Sequence, residues 1–256
     1  MSYWKPTRSS DRQKIKEIQL EEGILVDGIF GSQTLDLLYR KNLGDKIKTP
    51  YYERFYGVDI LFGKSIDILD NDGGVLRGKD HAYSLGALFR YPMETISICV
   101  FNGVPIDEQS KTSCHYHIDK PESVIYTLDG KTCNMKRVKT VSELPKNTLH
   151  AIGGLGLTNY NPVAEGFSKG SYNGFNYDYT DVLRYTHHAV FGITEQGNIV
   201  GMMMYSKNVG QVLEYLKSKF RLKHAIMLDG GHVPCFNAPG RIFNGSLNQA
   251  NLIKFK

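Results

Sequence analysis

The sequence predicts an α+β protein: a mixed β-sheet domain with few helices, preceded by a small N-terminal helical module. Three features point there. Short runs of alternating apolar and polar residues recur from Val58 onward, each closed by a turn signal. One amphipathic helix, over 209–220, stands between two of these runs. Residues 1–48, by contrast, carry apolar residues at helical spacing.

In chain order, Ser10-Asp11 caps a helix from Arg12 that places Ile15, Ile18 and Gln19 on one side. The chain turns at Glu22-Gly23, runs through Ile24-Leu25-Val26 and reaches Asp27-Gly28-Ile29-Phe30-Gly31. Ser32 caps a second helix with Leu35, Leu37 and Leu38, which Asn42-Leu43-Gly44 ends. Lys48-Thr49-Pro50 reads as a linker, dividing the chain into regions 1–48 and 51–256. Strands are expected over 58–61, 65–69, 95–101, 123–128, 150–153, 189–194, 198–204 and 224–228. Asn71-Asp72-Gly73-Gly74, Asp129-Gly130 and Gln196-Gly197-Asn198 supply turns between them. The late helix puts Val212, Leu213, Leu216 and Phe220 on one face, and Met202-Met203-Met204 reads as buried strand.

Composition bounds the function classes. Hydrophobic residues make up 41% and charged residues 22% of 256, which excludes wholesale disorder. Mean hydropathy is -0.32, and no apolar run approaches the ~18 residues of a membrane span. The segment Met1-Ser2-Tyr3-Trp4-Lys5-Pro6 lacks an apolar signal core, so the expectation is synthesis in the cytoplasm without a signal peptide. Lys and Arg exceed Asp and Glu by 31 to 26, a net charge of +5 scattered along the chain. That scatter argues against a nucleic-acid partner and allows weak attraction to polyanions. Cys99, Cys114, Cys133 and Cys235 form no CxxC pair and read as reduced, buried thiols.

The segment Val26-Asp27-Gly28-Ile29-Phe30-Gly31-Ser32-Gln33-Thr34, with Ile18-Gln19 upstream, resembles the core signature of the peptidoglycan-binding domain of bacterial and phage cell-wall hydrolases. The resemblance implies glycan contacts from the loop of Asp27, Gly28, Phe30 and Gly31. It also implies action at the bacterial cell wall or in a virion.

Two glycine-rich strand ends mark the rest: His150-Ala151-Ile152-Gly153-Gly154 and Ala225-Ile226-Met227-Leu228-Asp229-Gly230-Gly231-His232. Between them lies Arg184-Tyr185-Thr186-His187-His188-Ala189-Val190-Phe191-Gly192, and an Asn102-Gly103 element ends an earlier strand. This ordered series over 51–256 resembles the phosphodiester glycosidase family. The family's Arg, four residues before the Gly, falls on His188, and its Gly-Ser after Asp-Gly-Gly falls on His232-Val233. The resemblance implies hydrolysis of a sugar-1-phosphate diester of the N-acetylglucosamine-1-phosphodiester kind. Paired with the wall-binding resemblance, it implies a cell-wall glycopolymer or other sugar-phosphate polymer as substrate.

The residue types suit that chemistry. A carboxylate must act on the anomeric carbon or as general base, and cations or backbone N–H groups must hold the phosphate. Asp229, at a strand end before two glycines, is the first catalytic candidate. Glu165, in the loop after the Gly-Gly strand, is the second. His188 is the candidate phosphate ligand, and His187, on the other side of the strand, is structural. Arg184, His232, Asn102 and the backbone of Gly153, Gly154, Gly230 and Gly231 complete the substrate-binding set. No cofactor is assigned. A divalent cation is allowed, and Cys114-His115-Tyr116-His117 with Asp119 completes no known metal pattern. The tyrosine-rich stretch 170–179 reads as a loop suited to stacking on sugars, and Asn244-Gly245-Ser246 as a turn. Two rival readings stand beside the enzyme. One is a non-catalytic glycan-binding or virion structural protein on the same fold; the other is an enzyme or sponge for soluble nucleotide-like phosphodiesters.

Overall fold

The computed structural model describes residues 9–29, 33–34, 50–70, 75–87, 89–90, 94–113, 121–158, 170–172, 175–177, 185–195, 197–230, 234–243 and 248–256. Helix α1 (Ser9–Glu21) comes before the strands and helix α2 (Val209–Ser218) near the end. The strands of the first half are β1 (Tyr51–Phe55), β2 (Val58–Gly63), β3 (Ile66–Asp70), β4 (Leu76–Arg77), β5 (Ser84–Gly86), β6 (Phe89–Arg90), β7 (Glu94–Thr95), β8 (Cys99–Phe101), β9 (Val104–Pro105) and β10 (Glu122–Thr127). They are followed by β11 (Cys133–Val138), β12 (His150–Gly156), β13 (Gly170–Tyr172), β14 (Phe175–Tyr177), β15 (Thr186–Ile193) and β16 (Ile199–Lys207). After α2 come β17 (His224–Gly230), β18 (Phe236–Ala238), β19 (Arg241–Phe243), β20 (Asn248–Gln249) and β21 (Asn251–Phe255).

The main sheet runs β1-β2-β16-β15-β17-β12-β10-β11, with β8 attached to β12 and β9 to β8. A second sheet runs β19-β18-β5-β21-β3. The fold is thus mostly β, which corrects the expectation of an α+β protein with a mixed sheet. Each pairing between described strands is antiparallel. The helix connects β16 and β17, and β15 lies between those two strands. Helix α2 therefore carries the chain across β15, which pairs antiparallel with both. The stretch 170–179, expected as a loop, contains the short β13–β14 ribbon.

Side-chain alternation builds the two largest apolar clusters on opposite faces of the main sheet. On one face Val58, Ile60, Val190, Val200, Met202, Met204 and Met227 pack with Val212 and Leu216 of α2. On the other, Leu61, Phe191, Met203, Ile226 and Leu228 meet Ile68, Leu85, Phe236, Ile253 and Phe255 of the second sheet. Central strands are buried on both faces, so their sequences are nearly continuous apolar runs rather than alternating ones. Met202, Met203 and Met204 are fully buried, as the sequence led us to expect. Helix α2 starts after Asn208, whose side chain accepts the Gln211 N–H at 2.9 Å while Gln211 Oε1 accepts the Asn208 N–H at 3.1 Å.

Helix α1 places Ile15 and Ile18 in the same apolar cluster as α2. Its Gln19 is buried and organises the loop that follows. Gln19 Nε2 donates to Asp27 Oδ1 at 2.8 Å and to Thr34 Oγ1 at 3.0 Å, and Gln19 Oε1 accepts the Gly28 N–H at 2.8 Å. Asp27 Oδ1 also accepts the Ile29 N–H at 2.8 Å. Asp27 and Gly28 are thus committed to the loop's own hydrogen bonds, while Phe30 and Gly31 lie outside the described residues. Cys99, Cys133 and Cys235 are buried free thiols, and burial pushes Cys133 and Cys235 up to about 12.

Candidate functional site

The ends of several main-sheet strands meet where β17 finishes at Asp229-Gly230. His188, near the start of β15, pairs with Gly230 on one side and Met204 on the other. Register shifts flank it on both ladders. Such irregularities re-aim side chains at sheet ends. His188 is buried and its Nε2 donates to the Lys207 carbonyl oxygen at 2.8 Å in the neutral ring. The other ring nitrogen turns toward β17: a Cβ built on Gly230 would lie 3.7 Å from His188 Nδ1 and 3.1 Å from the His187 carbonyl oxygen. Burial, reinforced by the neighbouring His187 charge, lowers the His188 pKa against the raising effect of the Lys207 bond. The ring is therefore neutral at pH 7. Asp229 is half-buried, and its Oδ1 accepts the Gly230 N–H at 2.8 Å.

Beside this lies a fork. One edge of β12 pairs with β10, while its other edge is shared. There β17 pairs at Leu155 and Gly156, and β8 takes over at Ala151 and Ile152. Gly153 and Gly154 sit where one neighbour replaces the other, and each is hemmed in. A Cβ at Gly153 would fall 2.3 Å from both Glu122 Oε1 and Ser97 Oγ, and one at Gly154 would fall 2.7 Å from the Met227 carbonyl oxygen. Glu122 is fully buried there. Ser97 Oγ donates to it at 2.9 Å, and the Ile98 N–H donates at 2.7 Å. The two glycines thus admit a buried carboxylate and the close approach of β17.

A second cluster at the same end was not expected from the sequence. Asp59, in β2, is fully buried. Its Oδ1 accepts from Tyr52 Oη at 2.7 Å, and its Oδ2 accepts from Arg241 Nε at 2.7 Å and from the Tyr205 hydroxyl. Arg54 Nε stands 3.9 Å from Oδ1. The Tyr205 ring has the Arg241 guanidinium 5.1 Å and the Arg54 guanidinium 5.9 Å from its centroid. His187 packs edge-on against Tyr205 and Phe243, with ring centroids 5.6 and 5.0 Å away. One signal was present: Asp59 is a charge inside a strand otherwise apolar from Val58 to Phe62. Its partner Arg241 lies 182 residues along the chain, and local pattern gives no hint of it.

Of the other sequence candidates, Asn102 is exposed at φ 48 and Gly103 has φ 81, forming the two-residue turn of the β8–β9 hairpin. The Asn102 N–H reaches His150 Nδ1 at 3.5 Å, at the far end of β12 from the β17 pairing. Glu165, Arg184, Gly231 and His232 lie outside the described residues, as do Cys114, His115, His117 and Asp119. Among the described residues no group of three or more His, Cys, Asp or Glu side chains is arranged to hold a metal ion.

No family model matches the chain, and no curated protein matches it. Among solved structures it is similar to the catalytic domain of zebrafish N-acetylglucosamine-1-phosphodiester alpha-N-acetylglucosaminidase, auto-inhibited by its pro-peptide. The TM-score is 0.56 and the identity 12%, with 77% of this chain and 76% of that chain covered. At this identity the likeness is one of fold.

The buried histidines make a stability prediction. Burial lowers the pKa of His150, His188 and His224 below the 6.5 of an unperturbed imidazole. Below about pH 6.5 the unfolded chain takes up protons that the folded chain refuses, so stability falls with acidification. Urea unfolding between about pH 7.5 and 5.5 should show this loss. His188→Gln should reduce the slope and leave the part due to His150 and His224. An unchanged slope in the variant would mean that folding does not hold His188 neutral.

Proposed function

We propose that this chain hydrolyses a sugar-1-phosphate diester of the N-acetylglucosamine-1-phosphodiester kind, with Asp229 as the principal catalytic carboxylate. The supporting observation is positional. On a fold related to that of a phosphodiester glycosidase, Asp229-Gly230 ends a central strand beside His188. In the reaction the anomeric C1–O bond breaks and its electron pair leaves with the phosphate oxygen. Water supplies hydroxide to C1, and the remaining proton ends on solvent or on the phosphomonoester. Asp229 either stabilises the positive charge developing at C1 or deprotonates the water. Glu165 is the second carboxylate of this scheme. The neutral His188 ring offers a hydrogen-bonding nitrogen to the ligand rather than a cation, which leaves the phosphate charge to other groups.

Asp229→Asn keeps the shape and removes the charge. It should lower kcat/KM on a soluble sugar-1-phosphate diester by about a hundredfold or more, with unfolding behaviour near wild type. Turnover within a few-fold of wild type would move the chemistry away from Asp229, with Glu165→Gln the next variant to assay.

The finer reading places the substrate in a bacterial cell-wall glycopolymer, in a phage or bacterial setting, with the N-terminal module as wall anchor. Its support is the Asp27-Gly28-Ile29-Phe30-Gly31 signature and the exposed apolar side chains beside it, Leu20, Leu25 and Val26. Because Ile15 and Ile18 belong to the shared core, deleting the module would expose that core, so the test keeps the whole chain. The double variant Leu25→Ser, Val26→Ser should be retained less on purified sacculi than wild type while hydrolysing a small soluble diester equally well. Equal retention of the two proteins would remove these side chains from any wall contact.

A further inference from the structure

We infer that Arg54 and Arg241 form the phosphate-holding site of this protein, an inference that rests on the diesterase reading for its substrate but not for its geometry. The two guanidiniums come from different sheets, Arg54 from β1 and Arg241 from β19, and converge on one buried carboxylate and one tyrosine ring. Both meet Asp59 through Nε. Arg241 also shares a side-chain hydrogen bond with Tyr205. A guanidinium carries five N–H donors, so each has donors in excess of these acceptors. Their side chains are 36% and 33% exposed, while Asp59 is fully buried. Among the described residues both cations share the carboxylate of Asp59, which holds them from beneath while part of each stays at the surface.

The cluster adjoins the strand end assigned to catalysis. His187 packs on Tyr205 and Phe243, and its carbonyl oxygen lies against Gly230, the residue after Asp229. In this scheme the 1-phosphate of a sugar bound over Asp229-Gly230 lies at the guanidiniums that flank the Tyr205 ring. His187 Nδ1 accepts the Ser206 N–H at 3.1 Å. The chemistry calls for cations at this place. A diester phosphate carries one negative charge, and glycosidic cleavage turns it into a monoester carrying about two. A fork of guanidinium donors therefore holds the departing group more tightly than the bound substrate, and that difference lowers the barrier. Asp59 touches no substrate in this scheme; it is a positioning residue for the two cations.

The test is titration of the full chain with inorganic phosphate at constant ionic strength, followed by calorimetry, alongside kinetics on a sugar-1-phosphate diester. Arg54 stands further from Asp59 than Arg241 does, so Arg54→Gln is the variant that disturbs the fold least. It should weaken phosphate binding by about tenfold or more and lower kcat more than it raises KM. Arg241→Lys keeps the charge and loses the fork, and should weaken binding by a smaller factor. Circular dichroism confirms that each variant is folded. Phosphate binding by folded Arg54→Gln and Arg241→Lys within twofold of wild type overturns the inference, as does a wild-type protein that binds no phosphate at millimolar concentration. If phosphate binding depends on the arginines while wild type turns over no diester, the anion site stands and the diesterase reading falls. If diester turnover depends on Asp229 but phosphate binding ignores the arginines, the reverse holds.

Discussion

A buried charge joins the two sheets at the end of the protein where β17 finishes. Asp59 projects from the main sheet toward the second and has no exposure to solvent. Moving a carboxylate into such a place costs several kcal/mol even after the protein relaxes, so the position is tenable only with partners on both oxygens. Tyr52 and Tyr205 supply hydroxyl donors from the main sheet, and Arg241 supplies a guanidinium from the second. The partners are fixed in protonation as a result. Burial, and then the charge of Asp59, push both tyrosines well above the usual phenol range. For Arg241 burial works the other way, but the hydrogen bond and charge of Asp59 outweigh it and hold the guanidinium cationic. Burial acts differently on His188 nearby, whose pKa it lowers so that the ring is neutral at pH 7.

The second constraint is the fork on β12. A strand has two edges, and here one edge serves two successive neighbours, β17 and then β8. Gly153 and Gly154 lie where β17 leaves β12 and β8 takes its place. Glu122, Ser97 and the glycines of β12 pack together at that fork, and β17 ends with Asp229-Gly230. Glu122 is thereby a structural carboxylate, tied down by a hydroxyl and a backbone N–H. Asp229 accepts from its own neighbouring N–H and lies nearer the surface.

Much of the strand content was legible in the sequence because burial leaves runs of apolar residues that turn signals separate. The runs at 58–61, 198–204 and 224–228 fall within β2, β16 and β17, apart from the first residue of the second. Helix α2 begins at its Asn208 cap, and Val212, Leu216 and Phe220 are buried as their spacing requires. What failed was the layer arrangement. A helix between two strands looks the same in sequence whether those strands pair directly or stand on either side of a third, as β16 and β17 do around β15. In the candidate site, the positions of Asp229, Gly230 and His188 on adjacent strand ends could be anticipated from motif order. The environment of His188 could not, because its burial and its bond to Lys207 come from a strand paired in three dimensions. The guanidinium cluster was illegible for the same reason: Arg54, Tyr205 and Arg241 are ordinary surface-type residues until folding gathers them over Asp59.

The central claim is that a sugar phosphate binds across the end of β17 and the arginine pair. A crystal structure of the full chain with a non-cleavable sugar-1-phosphonate diester addresses it most directly. The account predicts the sugar ring against Asp229 and Gly230, with the phosphonate oxygens within hydrogen-bond distance of Arg54 or Arg241. A ligand bound elsewhere, with Asp229 and both guanidiniums untouched, would contradict it.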